Sequence, residues 1–393
     1  MGCGMKFWFG FGYNGFAQIQ HTGGKESPIK NFVSRKKILI PESIHRDDNV
    51  VWKEFGSIRK PVPSWSDTVF LTDSGRLIPS GFPRHFPCQI QGCRDLHASE
   101  NFLLLQFQDR VECWDTRPTA ERKKGTLVWQ CELAEDEQYV FPLVPKGYLI
   151  PRPPFFKMLT LENKALKLVL GTEHAMMLSC VKTVYSWGSG RHGQLGHSVL
   201  ADETEPRIVE ALQGLVMVDV AAGGWHSVSI SDGGDIYIWG WNESGQLGFP
   251  SKTLCEKPEP GHTSDSAHKE SSSPGGSAQQ NNRAEMFISI QAFPALLDLP
   301  KMSEVSKVSC GSRHTAAVTC DGDLYTWGWG AYGQLGHGDT TSCDEPRIVQ
   351  YFSEHSLFVL DVVCGPWNTF VCVIDKQVQS QSVPSKTEHS FNA

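Results

Sequence analysis

Three histidines are the first residues on which chemistry could be built. His174, His226 and His314 each close a Gly-x-x-His group, with Gly171, Gly223 and Gly311, and each stands thirteen residues ahead of a tryptophan, Trp187, Trp239 or Trp327. Imidazole is a common metal ligand and a common general base. A metal triad is therefore one reading, and Ser227 and Thr315, which directly follow two of the histidines, invite a nucleophile–base reading. Both are weak. Residues at equivalent places in a repeat are related by the repeat operation and need not converge, and a hydroxyl beside a histidine in sequence is not paired with it in space. The expectation is a structural histidine that holds a turn by hydrogen bonding, with no catalytic residue, no metal and no cofactor.

The glycines repeat in the same way. Gly188 to Gly193, Gly328 to Gly333 and Gly10 to Gly15 all fit G-x-G-x-x-G. A dinucleotide site needs one such turn between a strand and a helix, with an acidic residue about 20 positions on. Here no amphipathic helix follows, and turn glycines explain the pattern. Twelve cysteines are scattered without a C-x-x-C pair. Cys310, Cys320, Cys364 and Cys372 fall in strand-like runs and read as small buried thiols of a reducing compartment. Asn242-Glu243-Ser244 is a formal glycosylation triplet, but it lies in a repeat turn and no secretory signal precedes it.

The elements that position these residues are repeats. Trp187 to Gly196 reads WGSGRHGQLG, Trp239 to Gly248 reads WGWNESGQLG and Trp327 to Gly336 reads WGWGAYGQLG. A frayed copy, WFGFGYNGFAQ, runs from Trp8 to Gln18. The period is 52 residues between Trp187 and Trp239, and 88 between Trp239 and Trp327. The excess falls at 250–285, rich in Ser, Pro, Gly, Gln and Asn, a composition that reads as a disordered insertion. Each repeat gives about four short strands, as in Ile236 to Trp239, and a sheet that small must pack against copies of itself. The last repeat begins at Val363 and Gly365 but lacks its Trp-Gly half, which Phe7-Trp8-Phe9-Gly10 supplies from the other end of the sequence. The spacing therefore predicts an all-β fold, a β-propeller in which an N-terminal strand within residues 1–18 completes the C-terminal blade.

The remaining stretches are read in order. Met1-Gly2-Cys3 resembles an acylation signal, but position 6 is Lys6 rather than Ser or Thr. Residues 23–60 read as a polar loop whose Arg35-Lys36-Lys37 could serve as a nuclear signal. Divergent blades are expected over 62–150, with Asp67 where a histidine belongs. The proline-rich stretch 139–156 reads as an extended connector rather than a sheet, and as a docking segment displaying Pro145, Lys146, Gly147, Tyr148 and Arg152, with Lys146 or Arg152 the group engaged or modified. Clear repeats run over 166–373, and 376–393 reads as a flexible tail. The net charge of −7 gives no footprint for direct DNA binding. No apolar run approaches the ~18 residues of a membrane span.

Gly-x-x-His, then Tyr-x-Trp-Gly, then Gly-Gln-Leu-Gly resembles the regulator of chromosome condensation repeat, strongly over 166–373, well over 1–18 and weakly over 60–150. The resemblance implies a seven-bladed propeller, counted as the split blade and then 62–82, 95–114, 126–150, 166–196, 216–248 and 305–336. In it Trp8, Trp187, Trp239, Trp327, Gly188, Gly240, Gly328 and the three histidines would be structural. The divergent first half, Trp225-His226 and the 295–300 segment look like a small single-propeller branch of the family. That branch implies a monomeric, nuclear, chromosome-associated adaptor for a JmjC-type 2-oxoglutarate-dependent histone demethylase or hydroxylase. Histones would be further partners, with effects on histone methylation, chromosome segregation and microtubules. The alternative implied by the family's founding member is a guanine nucleotide exchange factor for a Ran-like small GTPase. A third class, an enzyme or carbohydrate binder using the central channel, has no residue pattern behind it.

Overall fold

The computed structural model describes residues 6–19, 32–37, 58–82, 84–85, 90–118, 124–133, 139–159, 165–255 and 287–376. These form seven antiparallel sheets arranged as a seven-bladed β-propeller. The first blade is Ile58–Pro63, Asp67–Thr72 and Leu77–Gly81; the second is Asp95–Ala98, Phe102–Gln106, Arg110–Asp115 and Thr126–Glu132. The third is Leu143–Val144, Gly147–Leu149 and Phe156–Met158. The fourth, fifth and sixth begin at Ala165–Leu170, Met217–Ala222 and Val305–Cys310 and end at Glu203–Ile208, Ile290–Leu297 and Cys343–Ile348. The closing blade takes Leu357–Cys364 and Asn368–Asp375 from one end of the sequence and Phe7–Tyr13 and Phe32–Lys37 from the other.

The second strand of each clear blade is buried at every position, as in His226–Ser231 and His314–Thr319. Both of its faces meet other blades, so small and β-branched residues replace a polar–apolar alternation. The innermost strands carry a bulge at one shared place, between Ile58 and Lys60, Ala165 and Lys167, Met217 and Asp219, Val305 and Lys307, and Val359 and Asp361. The residue after the bulge is charged and alternates in sign around the ring. Lys60 pairs with Asp95 of the second blade, and Lys167 Nζ lies 2.5 Å from Asp219 Oδ1. Burial raises the Asp361 carboxyl above its ordinary range, and the facing charge of Lys307 offsets part of that rise. Asp95, Asp219 and Asp361 each also accept the amide of the next residue, at 2.7, 2.9 and 2.9 Å.

The closing strand pairs Phe7–Gly12 with Val373–Asn368. The register differs from the sequence reading. Gly12, at φ +111°, stands opposite Asn368 as Gly188, Gly240 and Gly328 stand opposite their histidines. Phe11, not Trp8, therefore occupies the repeat tryptophan's place. A side chain at position 12 would bring a Cβ within 2.7 Å of Trp367 O, so the glycine fixes the register and the tryptophan is replaceable. Trp8 instead donates its Nε1–H to Ile58 O at 2.9 Å, sealing the closing blade to the first.

Other expectations change as well. Residues 126–150 are not one blade: Thr126–Glu132 is the outer strand of the second. The supposed connector 139–156 supplies most of the third blade. Its prolines fall only in the turns, leaving 143–144, 147–149 and 156–158 to pair. The polar loop 23–60 contains Phe32–Lys37, outermost strand of the closing blade, so the basic cluster lies on a sheet edge. Cys372 is buried, and Cys310 and Cys364 partly so, but Cys320 is exposed. Gly2 and Cys3 lie outside the described residues, as do 256–285 of the insertion and 377–393 of the tail.

Candidate functional site

The repeat histidines knit neighbouring blades together. His174 Nε2 lies 2.8 Å from Ser227 Oγ, His226 Nε2 2.9 Å from Thr315 Oγ1 and His314 Nε2 3.0 Å from Thr369 Oγ1. Each hydroxyl gives its hydrogen to the main-chain oxygen of a repeat glutamine, Gln194, Gln246 or Gln334, at 2.7, 2.7 and 2.8 Å. The hydroxyl must therefore accept from the histidine, which assigns the proton to Nε2. Nδ1 is buried without a partner in all three. Burial pushes these imidazoles down to about 4 for His174 and about 3 for His226 and His314. They are neutral, buried and spread over three blades, so they do not converge on a metal. Among the described residues no group of three or more His, Cys, Asp or Glu is placed to hold a metal ion.

The tryptophans and glutamines complete this seam. Trp239 and Trp327 donate Nε1–H to Gln194 O and Gln246 O at 2.9 and 3.0 Å, filling the second lone pair of each carbonyl. The side chains of Gln18, Gln194, Gln246 and Gln334 each accept the amide two residues before, at 2.8 to 3.0 Å. Trp187 has no preceding glutamine and donates to Tyr148 Oη at 2.8 Å. Tyr148 is 4% exposed and Gly147 is buried, so of the five residues expected to dock a partner these two are structural. Lys146 and Arg152 are exposed.

The same seam raises one face of the ring. In five blades the residue after the repeat glycine donates its amide to the carbonyl just before the histidine position: Ser189 to Glu173, Trp241 to Trp225, Trp329 to Arg313, Tyr13 to Trp367 and Phe82 to Ser66, at 2.8 to 3.0 Å. These paired positions are therefore presented side by side, and most of them are aromatic. Trp225 and Trp241 meet edge to face at 5.4 Å, and Arg313 lies over the Trp241 ring at 4.8 Å. Trp329 meets Trp367 at 5.0 Å and Tyr332 at 4.8 Å. Tyr13 continues the arc from Tyr332, and Trp65, 47% exposed, continues it from Trp367. Arg313 Nε and Trp367 Nε1 are buried without a hydrogen-bond partner among the described residues. The sequence reading found the tryptophans of the repeat but not this arc. Its signal was available in the residue before each histidine and the residue after each Trp-Gly.

Matches to known proteins agree with the architecture. The regulator of chromosome condensation (RCC1) repeat model matches residues 183–230, 233–268 and 321–372, and a second model of that repeat matches 217–246 and 305–334. RCC1 domain-containing protein 1 of Homo sapiens is 42% identical over 392 residues, covering 94% of this chain and 97% of its own length. The chain belongs to the RCC1 repeat family. The crystal structure of Prp20p from Saccharomyces cerevisiae, described with its binding properties to Gsp1p and histones, superposes with a TM-score of 0.64 at 16% identity, covering 97% of this chain and 95% of that one. At that identity the likeness is one of fold. These findings overturn the expectation of an adaptor for a JmjC-type oxygenase: the relatives and the fold neighbours lie on the RCC1–Prp20 side. The likeness to the regulator of chromosome condensation repeat and to Prp20p is consistent with a nuclear or chromosomal setting. No helix of the described residues is long and apolar enough to cross a membrane.

Proposed function

We propose that this RCC1-family propeller is a rigid protein-binding scaffold in the nucleus whose aromatic face docks a small GTPase of the Ran type and accelerates its nucleotide release. The observation that carries the reading is the arc from Trp225 through Arg313, Trp329 and Trp367 to Trp65. Large aromatics and arginine are the residue types that dominate protein interfaces, because each covers much area with few rotatable bonds. Seven packed blades hold them without loop ordering on association, which limits the entropic cost of docking.

Release of a fluorescent GDP analogue from a Ran-type GTPase tests this. The expected result is an acceleration of about tenfold or more, with Trp367→Ala and Arg313→Ala each weakening docking by a hot-spot loss of about 2 kcal/mol, roughly thirtyfold in affinity. An unchanged release rate, with no complex by gel filtration, would remove the reading.

A further inference from the structure

The short third blade leaves a hollow. A cavity of about 350 Å³ lies between the second, third and fourth blades, a volume suited to a small ligand. Its walls include Phe102, Ile150, Leu170 and Trp187 on the apolar side and Asn101 and Thr172 on the polar side. Arg152 and Lys157, from the third blade, also line it. Both are exposed, and neither has an ion-pair partner among the described residues.

Two acids share the wall, and both are already engaged. Glu100 accepts the Trp65 amide at 2.6 Å with one oxygen and the Ser66 hydroxyl at 2.9 Å with the other. Glu173 accepts Trp225 Nε1–H at 3.3 Å and lies 3.6 Å from Arg191. Arg191 answers the charge of Glu173, while the donors on Glu100 are neutral and leave its charge in place, so Arg152 and Lys157 exceed the remaining acid by one positive charge over an apolar lining.

We propose that this cavity is a binding site for an amphipathic carboxylate, its acid held by Arg152 and Lys157 and its apolar or aromatic body set against Phe102 and Trp187. Arginine's planar fork suits a carboxylate and lysine adds a point charge. The same chemistry could arrive as a free small acid or as a glutamate beside an aromatic residue in a partner protein. The site is separate from the aromatic arc, although Glu173 and Glu100 tie its wall to that face, and it does not rest on the GTPase reading.

The test uses the full chain and three probes: 3-(4-fluorophenyl)propanoate, its uncharged amide, and acetyl-Phe-Glu-Phe-amide. Fluorine NMR follows the first two and calorimetry the third. The acid should bind at least tenfold more tightly than its amide, and the double variant Arg152→Gln, Lys157→Gln should lose at least tenfold in affinity with its melting temperature unchanged. Tighter binding of the acid than of the peptide identifies a free ligand, and the reverse identifies a partner side chain. Equal affinity of acid and amide, equal affinity of variant and wild type, or no saturable binding of either anionic probe would overturn the proposal. A double variant that melts early is replaced by Arg152→Lys with Lys157→Gln, for which the same tenfold criterion applies.

Discussion

Ser227, Thr315 and Thr369 decide the chemistry of the histidines they face. With the hydroxyl hydrogen committed to a glutamine carbonyl, each imidazole is fixed as a donor and excluded from acid–base work. Gly-x-x-His has a second cause: a Cβ on Gly171, Gly223 or Gly311 would fall 2.5, 2.3 or 2.2 Å from the imidazole Cε1. A titration consequence follows. The folded-state values of about 4, 3 and 3 lie below the unfolded value near 6.5, so the unfolded chain binds protons first as pH falls. Stability should be independent of these groups above pH ~7, and between the unfolded and folded values each histidine should cost about 1.4 kcal/mol per pH unit. Urea midpoints at pH 7.0, 6.0 and 5.5 check this. His226→Asn, which installs the residue found naturally at Asn368, should remove one histidine's share, about 1.4 kcal/mol per pH unit, from a slope to which the buried His97 also contributes, even if it lowers stability throughout. The histidine spacing was plain in the sequence. The acceptor was not, because Ser227 is reached from His174 across a blade boundary 53 residues away.

At the scale of the element, the third blade shows how a degenerate repeat keeps its place. It lacks the Gly-Gln-Leu-Gly turn, yet the next blade's Trp187 still needs an acceptor, and Tyr148 Oη supplies it. Tyr148, Leu143 and Ile150 pack with Leu168, Met177 and Trp187 of the fourth blade, while Val144 and Leu149 join Leu104 and Val111 of the second. Removing the hydroxyl by Tyr148→Phe should destabilise the protein by about 1–2 kcal/mol through the orphaned indole N–H, measured by chemical denaturation. No effect would mean that the ring packing alone holds the blade. Strands of two and three residues leave little periodicity to read, and proline counts argue against a sheet unless the turns are placed first. The opposite held for His226–Ser231 and Ile236–Trp241, whose repeats announced both strand and turn.

Over the whole molecule, closure depends on one hydrogen-bonded strand exchange and on compensated charges around the channel. The Lys60–Asp95, Lys167–Asp219 and Lys307–Asp361 relations leave the inner wall close to neutral. The circular arrangement could be foreseen because the split repeat is visible at both ends of the sequence; its register could not, since Phe11 carries none of tryptophan's signature. Gly336 locates it, for a Cβ there would lie 2.8 Å from the Phe11 ring just as one on Gly196 would meet Trp239. Phe11→Ala should cost about 3–5 kcal/mol by emptying that socket, and should lower the melting temperature of the entire ring rather than of one blade. A separate early transition confined to the closing blade would refute that cooperativity.

The pairing of Phe7–Gly12 with Asn368–Val373 also sets an order in time. On a ribosome adding about 5–20 residues per second, the Phe7–Gly12 strand waits on the order of 18–70 s for its mate to be made. During that interval its apolar residues have no blade to enter. The six other sheets can assemble as an open arc meanwhile, so the ring closes when the later-made strand captures the earlier-made one.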